Sequence, residues 1–221
     1  MKRIAIVIPA YNAAKTLPSL CEQIGETLAD AYIIIVDDGS NDNTQEIFHD
    51  SGVILLQHEV NRGKGEALKT GFSYVKEHSF DAVVTLDADL QHDPTEIPRL
   101  IEAAGEGDTI VVGARPIESS MPFARKVSNS VSSLVASIFS TVRLRDSQSG
   151  FRYIPVSLLR EIELHSSKYD LEPELLIRAA RQGYRIRSIP VRTIYNDSRS
   201  FINPLADLFR FLKMVTKSLF W

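Results

Sequence analysis

The sequence predicts an α/β domain, a mostly parallel sheet covered on both faces by helices, and three observations predict it. Runs of consecutive apolar residues recur as "RIAIVIP", "YIIIVDDGS", "VILLQHE", "DAVVTLDAD" and "DTIVVGARP", and strands apolar throughout are strands buried on both faces. Segments with apolar residues at helical spacing separate them, as parallel strands require. Two of the runs end on paired aspartates, Asp37–Asp38 and Asp87–Asp89. In sheets of this kind ligands bind outside the carboxyl ends of the strands.

In chain order, "RIAIVIP" is a buried strand. "AAKTLPSLCEQIGETL" places Leu17, Leu20, Ile24 and Leu28 at helical spacing. "YIIIVDDGS" is the second strand, and "NDNTQEIFHD", which starts with cap-type residues, reads as a helix. "VILLQHE" is the third strand, "GKGEALKTGFSYVKEH" a helix opened by glycines, and "DAVVTLDAD" the fourth strand. A helix in "PTEIPRLIEAA" precedes the fifth, "DTIVVGARP". The serine-rich "RKVSNSVSSLVASIFSTV" carries one apolar stripe and reads as a helix. "LRDSQSGFRYIP" is a polar loop entering a short strand, and "DLEPELLIRAARQGY" a helix closed by Gly183. "RIRSIPVRTIY" is the last strand. Residues 1–200 read as one domain and 201–221 as a C-terminal amphipathic helical extension.

With 221 residues, 44% hydrophobic and 24% charged, the chain has the composition of an ordinary soluble domain. Cys21 is the single cysteine, so an internal disulfide is excluded and a reducing compartment is expected. The apolar start stops at Pro9 without a small-residue cleavage site, which makes it a strand and not a signal peptide. No stretch reaches the ~20 apolar residues that span a bilayer. A cytoplasmic protein follows, or one that touches the inner face of a membrane from the side. The net charge of −3 conceals nine Lys/Arg against two acids from Arg178 to Trp221. A basic end on an acidic body suits an anionic partner there, or balances the domain.

If the fourth strand stays extended, Asp87, Asp89 and Gln91 share a face. Two carboxylates and an amide oxygen are a hard-oxygen set fit for Mg²⁺ or Mn²⁺, completed by water and substrate phosphate. The bland reading is a turn after a strand. His92 would face away, toward solvent or into a capping role, and Asp93 before Pro94 reads as a helix N-cap. In "IPAYNA" Tyr11 could stack on a nucleobase, and "VDDGSNDNT" supplies carboxylates for base N–H and ribose hydroxyls. "NRGKGEALKTG" sets glycines and Lys64 at a helix start, where backbone N–H groups approach a nucleotide. It is not a phosphate-binding P-loop, because no Ser or Thr follows the lysine.

Taken in order, "IPAYNAAKTLPSL", "IIIVDDGSNDNT", "NRGKGEALKTGF", "TLDADLQHDP", "VVGARP" and "DSQSGFR" resemble the inverting family 2 glycosyltransferases of the GT-A fold. The branch they are most similar to is the dolichyl-phosphate mannose synthase-like, polyprenyl-phosphate sugar transferases. The resemblance covers about residues 1–200 and implies a Rossmann-like three-layer sandwich. It implies that Pro9, Tyr11, Asn12 and Asp38 line the base and ribose of a nucleotide-sugar donor, with Asp37 supporting them and Gly63–Lys64 closing over the base. Asp87, Asp89 and Gln91 would hold the divalent ion on the donor diphosphate. Arg115, with Arg125 and Ser128, would meet an acceptor phosphate. Asp146, Ser149, Gly150 and Arg152 match the acceptor-side loop, with Glu174 beyond it, so Asp89, Asp146 and Arg152 form the implied catalytic set. One departure is Ala13, where many relatives carry Glu.

The chemistry leaves the acceptor open. A hydroxyl acceptor needs a carboxylate to take its proton, for which Asp146 is the choice with Glu172 and Glu174 behind it; otherwise Asp146 is a loop carboxylate paired with Arg145 or Arg152. A lipid phosphate is already anionic, and arginines then matter more than a base. The basic amphipathic segment "NPLADLFRFLKMVTKSLFW" suits a membrane interface, a seat on the domain, or a second copy in a homodimer. Nucleic acid is not among the expected partners. Three other classes fit less well. A signalling receiver would have its acidic pair on the first strand, and a non-catalytic nucleotide-sugar-binding protein would not need Asp87, Asp89 and Gln91 together. A sugar-nucleotide pyrophosphorylase would carry a basic glycine-rich loop where this chain has "PAYNAAKT".

Overall fold

The computed structural model describes residues 2–48, 52–115, 137, 146–194, 214 and 216. Its strands are β1 (Ile4–Ala10), β2 (Tyr32–Asp37), β3 (Ile54–Gln57), β4 (Ala82–Thr85), β5 (Thr109–Ala114), β6 (Arg152–Pro155) and β7 (Arg185–Pro190). The helices are α1 (Leu17–Thr27), α2 (Thr44–Ile47), α3 (Lys64–Glu77), α4 (Ile97–Ala104), α5 (Val156–Glu161) and α6 (Leu171–Arg181), with a 3₁₀ turn at Pro94–Glu96. One sheet holds the seven strands in the order β3-β2-β1-β4-β6-β5-β7. All neighbours run parallel except β6, which is antiparallel to both β4 and β5.

Alternation along the strands sends side chains to two cores, one on each face. Ala5, Val7, Ile34, Val36, Val83 and Ile110 pack under α3, α5 and α6. Ile4, Ile6, Ile8, Ile35, Val84 and Val111 pack under α1 and α4. This is the three-layer α/β sandwich. The apolar stripe of α1 buries Leu17, Leu20 and Ile24 completely, each worth about 1.5–3 kcal/mol relative to exposure. Gly71 lets α3 lie directly on β1: a Cβ there would stand 2.5 Å from Val7 Cγ1.

Two local expectations change. The helix expected in "NDNTQEIFHD" is a single turn, Thr44–Ile47; its start is delayed because Asp42 accepts from the Thr44 amide and holds the preceding residues in a local loop. The fourth strand stops at Thr85, so Asp87, Asp89 and Gln91 do not alternate along an extended chain; the backbone turns, with Leu90 at φ 59°. The serine-rich helix expected over 125–142 lies outside the described residues except for Ser137, and 201–221 except for Met214 and Thr216. Among the described residues no helix is long and apolar enough to cross a membrane.

Candidate active site

β1 pairs with β2 on one side and β4 on the other, so the chain order reverses there and opens a crevice at the carboxyl edge. The two non-glycine residues of positive φ among those described sit on the loops at this crevice, Asn12 after β1 (φ 52°) and Leu90 after β4 (φ 59°). Such conformations cost about 1–3 kcal/mol and gather where backbone is held for function. Asn12 is held from both sides: its amide donates to Ser40 Oγ at 2.8 Å, and its Oδ1 accepts from the Asn41 amide at 2.8 Å. Tyr11 beside it is exposed.

The end of β2 is bonded largely within the protein. Asp37 accepts from the Ser40 amide and hydroxyl through Oδ1 and from Gln45 Nε2 through Oδ2. Asp38 accepts from the Arg62 amide at 2.9 Å and the Gly63 amide at 2.7 Å, and its Oδ1 lies 2.7 Å from His58 Nδ1. A carboxylate offers about four lone-pair sites, so each has room for roughly one further donor. Asp38 therefore fixes the loop that carries Gly63 and Lys64. Gly65 presses that loop onto the segment before α6: a Cβ on it would stand 2.5 Å from the Ser167 carbonyl carbon. The Glu66 amide, one of the free donors of the α3 start, is taken by the Ser167 carbonyl.

Beyond β4 the situation reverses. Asp87 Oδ1 meets Lys64 Nζ at 2.6 Å, and the same ammonium lies 2.6 Å from Glu172 Oε1. Burial alone would raise the Asp87 carboxyl; Lys64, then His92, override it and hold it far below the usual carboxylate range. Burial likewise opposes charge on Lys64, yet Asp87 and Glu172 hold its pKa above the ordinary lysine value. Asp89 accepts from the Gln91 amide at 3.0 Å, and burial together with the nearby Asp87 charge pushes its pKa up. Gly150 makes room for the cluster, since a Cβ there would stand 2.5 Å from Asp87 Oδ1. His92 does not face solvent. It is buried against Phe151, with Nε2 3.7 Å from Asp87 Oδ2, and its Nδ1 has no hydrogen-bond partner among the described residues. The backbone at His92 bridges antiparallel to Thr193.

On the acceptor side Asp146 pairs not with Arg152 but with Arg115, whose Nε and Nη2 reach its two oxygens at 2.8 and 3.1 Å; Arg145 lies outside the described residues. Burial would raise the Asp146 carboxyl; the Arg115 guanidinium outweighs it and holds the group below its ordinary range. The expectation that Arg152 faces substrate is corrected. Its guanidinium is fully buried and donates to the carbonyls of Ser149, Glu172 and Ser147 at 2.7, 2.6 and 2.8 Å, so it builds the loop and joins it to α6. Glu174 is also inside, accepting from the His165 and Ser166 amides and Arg178 Nε. Arg125 and Ser128 lie outside the described residues. The Lys64–Glu172 pair joins positions 108 apart in sequence, and no local pattern announces it.

The donor chemistry suits a divalent cation. Two carboxylates stand close enough for one to raise the pKa of the other, a repulsion that a cation relieves. No group of three or more His, Cys, Asp or Glu forms a cage among the described residues. Mg²⁺-type sites use one or two carboxylates and take their remaining ligands from phosphate and water.

Comparison with known proteins places this rim in a family. Residues 5–161 match the family described as Glycosyl transferase family 2. The chain belongs to glycosyl transferase family 2. It is 34% identical over 220 residues, 89% of this chain and 87% of the relative, to a UDP-N-acetylglucosamine–dolichyl-phosphate N-acetylglucosaminyltransferase of Methanococcus voltae. It is 30% identical over 201 residues, 86% of this chain and 82% of the relative, to an undecaprenyl-phosphate mannosyltransferase of Micrococcus luteus. Among solved structures, glucosyl-3-phosphoglycerate synthase from Mycobacterium tuberculosis in complex with UDP superposes with a TM-score of 0.75 at 23% identity, over 98% of this chain and 80% of that one. The same synthase with Mn²⁺ and UDP-glucose gives 0.72 at 24% identity, over 99% and 78%. These structural likenesses establish the GT-A fold. The family 2 chain is a glycosyltransferase with polyprenyl-phosphate sugar transferases among its relatives.

Proposed function

We propose that this enzyme transfers a sugar, with inversion, from a nucleoside-diphosphate sugar to a polyprenyl phosphate. The observation that carries the acceptor is the Arg115–Asp146 pair. Asp146, the acceptor-side carboxylate first expected to act as a base, is buried, held ionised at low basicity, and bonded through both oxygens to a guanidinium. Such a group is a poor proton acceptor, whereas an anionic acceptor needs none. Relatives named for dolichyl and undecaprenyl phosphates support the same reading.

The nucleoside would rest on the loops after β1 and β2. Tyr11 supplies an exposed ring, Pro9 and Asn12 the floor, and Asp37, Asp38 and Gly63 the wall. Asp87 and Asp89, with Gln91, would hold Mg²⁺ or Mn²⁺ against the diphosphate, and that ion when bound would neutralise charge on the leaving group. The bond from the sugar's anomeric carbon to the donor phosphate oxygen breaks, and its electron pair stays on the departing nucleoside diphosphate. A phosphate oxygen of the acceptor forms the new bond from the opposite face. Arg115 keeps donors beyond those given to Asp146 and would hold the acceptor phosphate, offsetting repulsion between the two phosphate groups. Asp146 orients Arg115, and Arg152 braces the loop beneath. The basic segment from Arg178 onward would bring the enzyme to the inner membrane face, where the acceptor resides.

The test is transfer of labelled sugar from UDP-N-acetylglucosamine, UDP-glucose and GDP-mannose to a short polyprenyl phosphate, with Mn²⁺ present. Label in an organic phase from one donor is the expected result. Label transferred only to polyprenol or saccharide hydroxyls would overturn the phosphate-acceptor reading.

A further inference from the structure

Lys64 opens α3, yet its ammonium is turned inward. It lies 2.6 Å from Asp87 Oδ1 and 2.6 Å from Glu172 Oε1, with the Tyr169 ring centroid 5.8 Å away. The contact ties the start of α3 to the end of β4 and the first turn of α6. Its backbone is fixed at both ends, by Asp38 on the Gly63 amide and by Gly65 against Ser167. Glu172 is buried, so removing the ammonium would leave a carboxylate without its partner.

A divalent cation drawn to Asp87 would therefore meet a carboxylate oxygen already occupied by a positive charge. Two cations sharing that oxygen repel strongly where water is scarce. An incoming anion near both removes the conflict, because it attracts the ammonium and supplies ligands to the metal. A nucleoside diphosphate is such an anion.

We propose that Lys64 is a resident counter-ion for Asp87 that makes divalent-cation binding conditional on the donor's diphosphate. The inference rests on the reading of Asp87 and Asp89 as the cation-holding pair. Without donor, the ammonium neutralises Asp87 and Glu172 together. With donor, it stays on Glu172, turns to the diphosphate, and frees Asp87 Oδ1. Cation and nucleotide then bind with positive coupling, and by linkage each raises the affinity of the other by the same factor.

Calorimetric titration of Mn²⁺ into the full chain, with and without saturating UDP, tests this once Mn²⁺–UDP association has been measured separately and subtracted. The wild type should show a coupling of roughly 30-fold or more, within the usual range for linked sites. Lys64→Met should bind Mn²⁺ more tightly without UDP, and its coupling should fall to about threefold or less, below that range. The double variant Lys64→Met/Glu172→Gln leaves no orphaned Glu172 carboxylate and carries the test if the single variant does not fold. Wild-type coupling that persists in the folded variant overturns the role of Lys64 alone. Equal Mn²⁺ affinity with and without UDP in the wild type also overturns it. Absence of Mn²⁺ binding under every condition overturns it together with the cation site on which it rests.

Discussion

Asp37–Asp38 at the end of β2 and Asp87–Asp89 beyond β4 flank β1 on one edge of one sheet, and their carboxylates meet opposite surroundings. The first pair accepts from backbone amides, a hydroxyl, an amide side chain and a histidine, supplied by the neighbouring loops and by Gln45 of α2. The second pair meets one lysine, one backbone amide and a histidine ring nitrogen 3.7 Å away, and the charge on Asp87 makes Asp89 harder to ionise. A strand-end aspartate surrounded by amides builds a loop; one left beside another carboxylate keeps a repulsion that a cation would relieve. Residue type does not separate the two cases. The number of protein donors does.

The sharpest way to break this contrast is Asp89→Ala. Turnover should fall on the order of 10³-fold, about 4 kcal/mol of transition-state stabilisation. The melting temperature should hold or rise, because an acid whose pKa is raised in the fold destabilises it when ionised. Wild-type turnover in Asp89→Ala would end the assignment. The opposite pattern belongs to Asp38→Ala, which strands the Arg62 and Gly63 amides and His58. It should cost about 3 kcal/mol, a drop of roughly 6–12 °C for a chain of this size. A calorimetric melt within about 2 °C of wild type would show that Asp38 is not the structural member, since each kcal/mol shifts such a chain by 2–4 °C.

Gly65→Ala tests whether the loop held by Asp38 must touch the Ser167 backbone. Overpacking there should cost about 2 kcal/mol, read as a lower urea midpoint at unchanged m-value. An unchanged midpoint would mean that the two segments separate freely. The smallest effect concerns the Arg115–Asp146 pair. The Asp146 pKa is depressed in the fold, so its stabilisation is complete above the unfolded value of about 3.9 and is lost as pH falls through the lower folded value. The urea-midpoint gap between wild type and Asp146→Asn should therefore be widest near neutrality and narrow only below about pH 4. A gap independent of pH down to acid unfolding would argue that the ion pair contributes nothing.

Much of the frame was legible because burial leaves a pattern. The runs at Ile4, Tyr32, Ala82 and Thr109 are apolar without alternation, and each is a strand covered on both faces. The spacing of Leu17, Leu20 and Ile24 marked α1 for the same reason. Where side chains compete with the backbone the pattern failed, as at Asp42, whose bond to the Thr44 amide delays the start of α2. The direction of β6 was not legible either, since an antiparallel and a parallel strand of four buried residues look alike in sequence.

The sequence by itself determined the layers, the edge on which the aspartates stand, and the family to which their order belongs, because periodicity and strand-end chemistry are local properties of the chain. Only the tertiary structure decided which carboxylates are spent. Lys64 finds Asp87 and Glu172, Arg115 finds Asp146, and Arg152 turns its three contacts to backbone carbonyls rather than to the rim. Apart from the Arg152 contacts to Ser147 and Ser149, these join groups well separated along the chain that share one poorly hydrated space. There a charge must find a partner, and the partner is whichever group the fold brings within reach.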